Sequence, residues 1–346
     1  MNPQAKLIFT VSLLLGTTIT ISSNHWIMAW AGLEINTLTV LPLISKSHNQ
    51  RAIEAGTKYF LVQAAASNLI LFSSMTNAWQ TGQWDINQLT WPKLWLILNK
   101  GIAMKLGLAP FHFWFPEVLQ GTSLTTGLLL STAMKFPPMN LLFMTSQTLN
   151  STLLITMAIL SAALGGWTGL NQTQTRKILA FSSISHLGWM AIIIVYSPKL
   201  ALLNFYLYAL MTTAVFLTLN SINTLKLSTL MTTWTKTPAL SATLMLALLS
   251  LAGLSPLTGF LPKWLIIQEL TKQEMAPAAT IIALLSLLSL FFYLRLAYCA
   301  TITLPPKYNN HMKQWYTNKP TSILVATLAT MSITLLPVSP MILSLV

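Results

Sequence analysis

Apolar runs of roughly 20 residues recur from one end of the chain to the other, each long enough to span a hydrocarbon core of ~30 Å as a helix. Short polar punctuation separates them. Read this way, the pattern predicts about eleven spans, near 3–23, 25–45, 59–79, 93–116, 123–145, 149–171, 175–196, 199–224, 239–270, 276–302 and 322–344. A polar loop, 46–58, is expected between the second and third. No stretch is long and polar enough for a soluble domain, so the expected fold is all-α: one polytopic unit over 1–346. Helices are the natural solution because backbone groups in lipid must be satisfied internally. The fourth and ninth spans are interrupted by glycine and proline, in Leu106-Gly107-Leu108-Ala109-Pro110 and in Ser255-Pro256-Leu257-Thr258-Gly259-Phe260-Leu261-Pro262. They lie an odd number of spans apart and so cross in opposite directions. That is the signature of two inverted five-helix repeats, 3–145 and 149–302, with 322–344 as an appended C-terminal helix. Tyr59-Phe60-Leu61-Val62-Gln63-Ala64 parallels Tyr206-Leu207-Tyr208-Ala209-Leu210-Met211 and adds weak support.

Composition sharpens this picture without changing it. Of 346 residues, 54% are hydrophobic and 7% charged, and the formal charge is +13. The cations are scattered through short loops, which argues against nucleic acid and for contact with anionic lipid. Lys46, Arg51, Lys58, Arg176, Lys177, Lys226, Lys236, Lys307, Lys313 and Lys319 fall on one side of the predicted topology, and Lys93, Lys199 and Lys272 on the other. The positive-inside rule then sets the N-terminus inside and the C-terminus outside. No cleavage site or Arg-rich presequence is apparent at Met1-Asn2-Pro3, so the mature protein is expected to begin there. A single cysteine, Cys299, excludes an internal disulfide and an iron–sulfur cluster held by this chain alone. No CxxC, HExxH or Gly-rich dinucleotide fingerprint occurs, so no flavin, nicotinamide or metal is expected on this chain. Trp26, Trp79, Trp84, Trp91, Trp95, Trp114, Trp234 and Trp315 fall near span ends, as in an interfacial belt.

Against that background, Glu34, Lys105, Lys135, His186, Lys263 and Arg295 stand inside apolar stretches. A charge at the bilayer centre costs at least ~2.5–3.5 kcal/mol, so such groups are paired or face a wet interior. Broken helices beside buried charge point to a protein that moves ions. Burial penalises the charged form of a lysine and a neighbouring carboxylate restores it, so a Lys–Glu pair of variable separation is a proton switch. Glu34 on the second span against Lys105 on the fourth is the expected pair; a static ion pair that fixes packing is the competing reading. Lys135 precedes Pro137-Pro138, which should kink the helix and free carbonyls, whereas snorkelling to an interface is the plainer alternative. For Lys263, a mid-membrane position and one near the far interface both fit. His186, flanked by Ser182, Ser183 and Ser185, suits a relay or a hydrogen-bonded core. His112 and Lys100 are further relay candidates. Lys100 and Arg295 could equally be lateral links or lipid-headgroup anchors. The polar stretch 305–320 reads either as an inside-facing contact or as a solvated loop.

Met28-Ala29-Trp30-Ala31-Gly32-Leu33-Glu34-Ile35-Asn36, Lys105-Leu106-Gly107-Leu108-Ala109-Pro110-Phe111-His112-Phe113-Trp114 and the block from Ser255 through Lys263-Trp264 carry a family likeness. Over essentially its whole length the chain resembles the antiporter-like membrane-arm subunits of vertebrate mitochondrial NADH–ubiquinone oxidoreductase, respiratory complex I. The resemblance implies a fold shared with multi-subunit cation/proton antiporters, in a form shortened by three N-terminal helices. It places the family's carboxylate–lysine pair on Glu34 and Lys105, the connecting lysine on Lys135, the central histidine on His186 and the distal lysine on Lys263. It also implies the inner mitochondrial membrane, with the N-terminus in the matrix and the C-terminus in the intermembrane space. Neighbouring core and accessory subunits would be partners, in an assembly that uses NADH, FMN, iron–sulfur clusters and ubiquinone elsewhere. The expected role is proton translocation driven by that redox chemistry. An autonomous cation/proton antiporter would need more than one buried carboxylate, and a structural subunit with vestigial charges would pump normally without Lys105.

Overall fold

The computed structural model describes residues 3–47, 49–87, 92–148, 150–301 and 323–339. Among these, every regular element is a helix, and pairing between extended segments is confined to isolated bridges. The chain divides into two compact units, Met1–Ser161 and Ala162–Val346. Among the described residues, six helices are long and apolar enough to cross a membrane: Pro3–Ser22, Trp26–Ile44, Gln50–Thr81, Ser151–Gly169, Pro198–Ile222 and Ala276–Thr301.

The first unit contains α1 (Pro3–Ser22), α2 (Trp26–Ile44) and α3 (Gln50–Thr81), then α4 (Pro92–Leu106), α5 (Trp114–Gly121), α6 (Leu124–Ser131) and α7 (Phe136–Met144). It ends within α8 (Ser151–Gly169). Gly32 lets α1 and α2 cross closely, since a Cβ there would lie 2.6 Å from Thr20 Cγ2. His25 accepts from the Ile27 amide, stacks on Trp84 at 5.3 Å and bridges to Asp85, pinning the α1–α2 turn to the segment after α3.

The expected loop 46–58 is largely helix. α3 has 32 residues, about 48 Å of helix, and its first turns carry the exposed Arg51, Glu54 and Lys58. Hydropathy windows miss this extension because a charged but helix-favouring stretch continues the same ridge. That ridge is the buried face Ala52, Ala55, Gly56, Tyr59, Gln63, Ala66, Ser67 and Ile70, at helical spacing. It packs against α2, α4 and α5.

The second unit holds the rest of α8, then α9 (Thr175–Ile193), α10 (Pro198–Ile222), the short α11 (Leu227–Met231) and α12 (Thr233–Lys236), α13 (Pro238–Ala252), α14 (Phe260–Lys272), α15 (Ala276–Thr301) and α16 (Ile323–Thr334). α9 is its core helix, buried continuously from Ile178 to Ile193, its polar Ser182, Ser183, Ser185 and His186 included. A bridge between Gln174 and Lys226 ties the α8–α9 turn to the segment after α10. α16 packs on α10 and α13, and the Thr258 hydroxyl donates to the Ser332 carbonyl. The stretch 305–320 and the ends of the predicted span 322–344 lie outside the described residues.

Arg295 donates from Nη1 to the Leu170 carbonyl at 2.6 Å, just past the end of α8. It therefore satisfies a carbonyl left over at a helix terminus. This is a packing role that neither the lateral-link nor the headgroup reading anticipated.

Candidate functional site

Each unit contains a helix that stops, turns through an irregular segment and starts again. In the first, α4 ends at Leu106, and Gly107 takes φ +79°, a left-handed value that only glycine adopts without strain. The Gly107 and Leu108 amides both donate to the Ala103 carbonyl, the pattern of a helix closed by a left-handed residue. Ala109-Pro110 is cis, and α5 begins at Trp114. α4 has 15 residues, about 22 Å, too short to span a bilayer alone. Two side chains cap its last carbonyls: Trp114 Nε1 donates to Met104 at 3.2 Å and Gln63 Nε2 to Lys105 at 3.4 Å.

Lys105 itself is buried and its Nζ has no hydrogen-bond partner. Glu34, partly exposed on α2, is the carboxylate whose charge acts on Lys105. The two form no ion pair, and Glu34 Oε2 also lacks a hydrogen-bond partner. Of the variable separations expected for a Glu34–Lys105 pair, this conformation has the two side chains without an ion pair between them. α3 packs on both α2 and α4, and its Tyr59 also feels the charge of Glu34.

Lys135 closes a 3-10 turn, Ala133–Lys135, between α6 and α7. The interruption falls where Pro137 and Pro138 remove backbone donors. Its ammonium does not snorkel: the residue is 2% exposed, with Nζ 4.4 Å over the Phe115 ring. A cavity of about 10 Å³ lies between the lysines, lined by Tyr59, Gln63, Lys105, Phe115, Met134 and Lys135 among others. That is room for about one water molecule. His112 is buried in the break with its ring tilted against that of Phe113, whereas Lys100 is exposed on α4. Neither lines the cavity. Lys58 and Glu117 form an ion pair at 2.5 Å, each about half exposed, which ties α5 to α3.

In the second unit α13 ends at Ala252, Gly253 has φ +80°, Ser255-Pro256 is cis, and α14 starts at Phe260. Lys263, in the first turn of α14, points back across the break, and its Nζ donates to the Ala252 carbonyl at 2.7 Å. It also lies 5.9 Å from the Trp189 ring centroid. The side chain is thus held inside the break. His186, one helical turn before Trp189 on α9, sits 3.3 Å from Tyr293 Oη through Nε2 and 5.4 Å from the Tyr208 ring. Tyr208 and Tyr293 share hydrogen bonds with Ser183 and Ser182. His186 thus belongs to a buried cluster of hydroxyls, an arrangement able to hold its tautomer and pass protons.

Sequence reasoning missed Tyr59, Gln63, Trp189, Tyr208 and Tyr293 as site residues. Tyr59, Gln63 and Tyr208 entered it only through the weak internal repeat. A polar group recurring on the helical face of an apolar span was the available signal. Among the described residues no group of three His, Cys, Asp or Glu side chains could hold a metal ion.

With this geometry in view, the family described as NADH:quinone oxidoreductase/Mrp antiporter, TM, matches residues 23–291. The family described as NADH dehydrogenase subunit 2 C-terminus matches 290–343. The chain is 74% identical over 344 residues to the NADH-ubiquinone oxidoreductase chain 2 of Struthio camelus, covering 99% of each. To that of Gallus gallus it is 70% identical over 345 residues, covering 100% of each. It is similar to a chain of respiratory complex I from Thermus thermophilus, with TM-score 0.83 and 25% identity over 96% of this chain and 79% of that one. A chain of the Mrp complex from a Dietzia species is similar in fold, with TM-score 0.86 and 15% identity over 97% of this chain and 75% of that one.

Proposed function

The chain belongs to the NADH:quinone oxidoreductase/Mrp antiporter family, among its NADH-ubiquinone oxidoreductase chain 2 members, and we propose that it is a core membrane-arm subunit that helps move protons as NADH reduces ubiquinone. It is then part of an enzyme whose redox groups reside on other subunits, and it works in the inner mitochondrial membrane beside core and accessory partners. The observation that carries the reading is Lys105: a buried ammonium with no hydrogen-bond partner, beside a helix break, facing a cavity shared with a second buried lysine. A packing residue would be paired, because an unpaired buried charge is strongly destabilising. A group that gains and loses a proton is served by loose surroundings.

In this proposal Glu34 and Lys105 form the switch, and their separated arrangement is its open position. Lys135 is the connecting lysine, His186 the central station and Lys263 the distal one. His112 and Lys100 are secondary relay candidates. The matching breaks and the matching bridges His25–Asp85 and Gln174–Lys226 support inverted repeats, which in this proposal lie within an eleven-span topology with the N-terminus in the matrix. The test is proton pumping per electron in reconstituted complex carrying Lys105→Ala, with assembly checked on native gels. Coupled pumping should fall about tenfold or more, the scale of a lost proton-transfer group. Unchanged pumping in a fully assembled enzyme would reduce the buried charges to packing.

A further inference from the structure

We propose that Tyr59 positions proton transfer between Lys105 and Lys135, its hydroxyl holding a water molecule in the cavity that these side chains line; this rests on the reading of Lys105 given above. Tyr59 is 1% exposed, and its hydroxyl is buried with no hydrogen-bond partner. Buried hydroxyls are rarely left so, because the group forfeits its bonds to water. Its ring is held by the indole of Trp114, with centroids 5.8 Å apart and planes at 60°. Trp114 is in turn fixed by its bond to the Met104 carbonyl. The helix break therefore fixes the ring, and Tyr59 is one of the residues that line the cavity, with Lys105, Gln63 and Lys135.

The volume suits a single water, and a buried water needs about two to four polar partners. Tyr59 Oη and Lys105 Nζ are two donors on that wall with no other partner. The water oxygen accepts from both and donates one hydrogen toward Lys135 Nζ, which takes up a proton when it is in its neutral form. Transfer then moves one proton from Lys105 Nζ to the water oxygen as the water gives one of its own to Lys135 Nζ. Lys105 ends neutral, Lys135 ends charged, and water and Tyr59 are regenerated unchanged. A tyrosine serves here because its hydroxyl stays neutral while it donates.

The test is Tyr59→Phe in the assembled complex, which keeps the ring and its contact with Trp114 and removes only the hydroxyl. Proton pumping per electron and the solvent deuterium isotope effect on coupled turnover are read beside the parent and Lys105→Ala. Coupled pumping should fall about tenfold, the effect of one hydrogen bond to a charged group in the transfer step, and the isotope effect should rise. Both unchanged in Tyr59→Phe while Lys105→Ala loses pumping would overturn the role of Tyr59 and leave that of Lys105 standing. Lys105→Ala pumping normally would overturn both. Should Tyr59→Phe fail to assemble, the parent decides. A map that resolves waters should show one within hydrogen-bond distance of Tyr59 Oη, and a dry cavity at that resolution would refute the proposal.

Discussion

At the α4–α5 break the chain reads Gly107-Leu108-Ala109-Pro110; at the α13–α14 break it reads Gly253-Leu254-Ser255-Pro256. The glycines have φ of +79° and +80°, both prolines follow a cis bond, and the helices resume at Trp114 and Phe260, the same distance past each glycine. The backbone device is one and the same. What differs is the lysine. Lys105 lies before its glycine, and the carbonyls at the end of α4 are capped by Trp114 and Gln63, which leaves its ammonium without a partner. Lys263 lies after its glycine and reaches back to become the cap, donating to Ala252. A cation at a helix C-terminus is favoured by the helix dipole and by the unused carbonyls there. The side of the break on which a lysine is placed therefore decides whether the backbone holds its ammonium or leaves it without a hydrogen-bond partner. Pro116-Glu117 occupies the register of Pro262-Lys263, and in the first unit that position carries an acid paired with Lys58 at the surface.

The glycines give the largest contrast. A Cβ on Gly253 would stand 2.9 Å from Lys263 Cδ and 3.0 Å from its Nζ, whereas one on Gly107 meets nothing nearer than 3.6 Å. Gly107→Ala should cost only the left-handed backbone conformation, about 1–2 kcal/mol. Gly253→Ala should cost that and the displaced ammonium as well, about 3–5 kcal/mol in all when a hydrogen bond to a charged group is lost too. Thermal inactivation midpoints of the two variant complexes would check this. Equal losses would mean that the lysine is not held at its helix end.

How far this was legible in the sequence depends on the range of the signal. The two breaks are written locally, in glycine and proline, and so are the lysines beside them; Lys135 before its two prolines is a third case. The ridge of α3 was partly hidden, because Arg51, Glu54 and Lys58 lower the hydropathy of a helix whose buried face runs on through Ala52 and Ala55. Of the cluster around His186, the serines on its own helix could be read and the tyrosines could not. Tyr208 and Tyr293 reach it from α10 and α15 by packing, and in an isolated span each looks like an ordinary aromatic. The Glu34–Lys105 pair fell between these cases. Its members were identifiable by charge alone, but whether they touch is set by how α3 separates or joins α2 and α4.

The lysines themselves give the smaller and sharper test, because the two should differ in sign. Lys263→Met keeps most of the side-chain volume and leaves the Ala252 carbonyl without its donor, which should cost about 1–3 kcal/mol. Lys105→Met removes an ammonium that has no hydrogen bond to lose. Replacing a buried charged group by an apolar one of similar size is often neutral or stabilising, so this variant should match or slightly exceed the parent in thermal midpoint while losing coupled pumping. A stability penalty for Lys105→Met as large as that for Lys263→Met would show that the first lysine is also structurally engaged, and the contrast between the two breaks would collapse. Retained stability together with lost pumping would separate the two roles: Lys263 held by a helix end, and Lys105 kept loose at a stability cost because the loose state is the one that works.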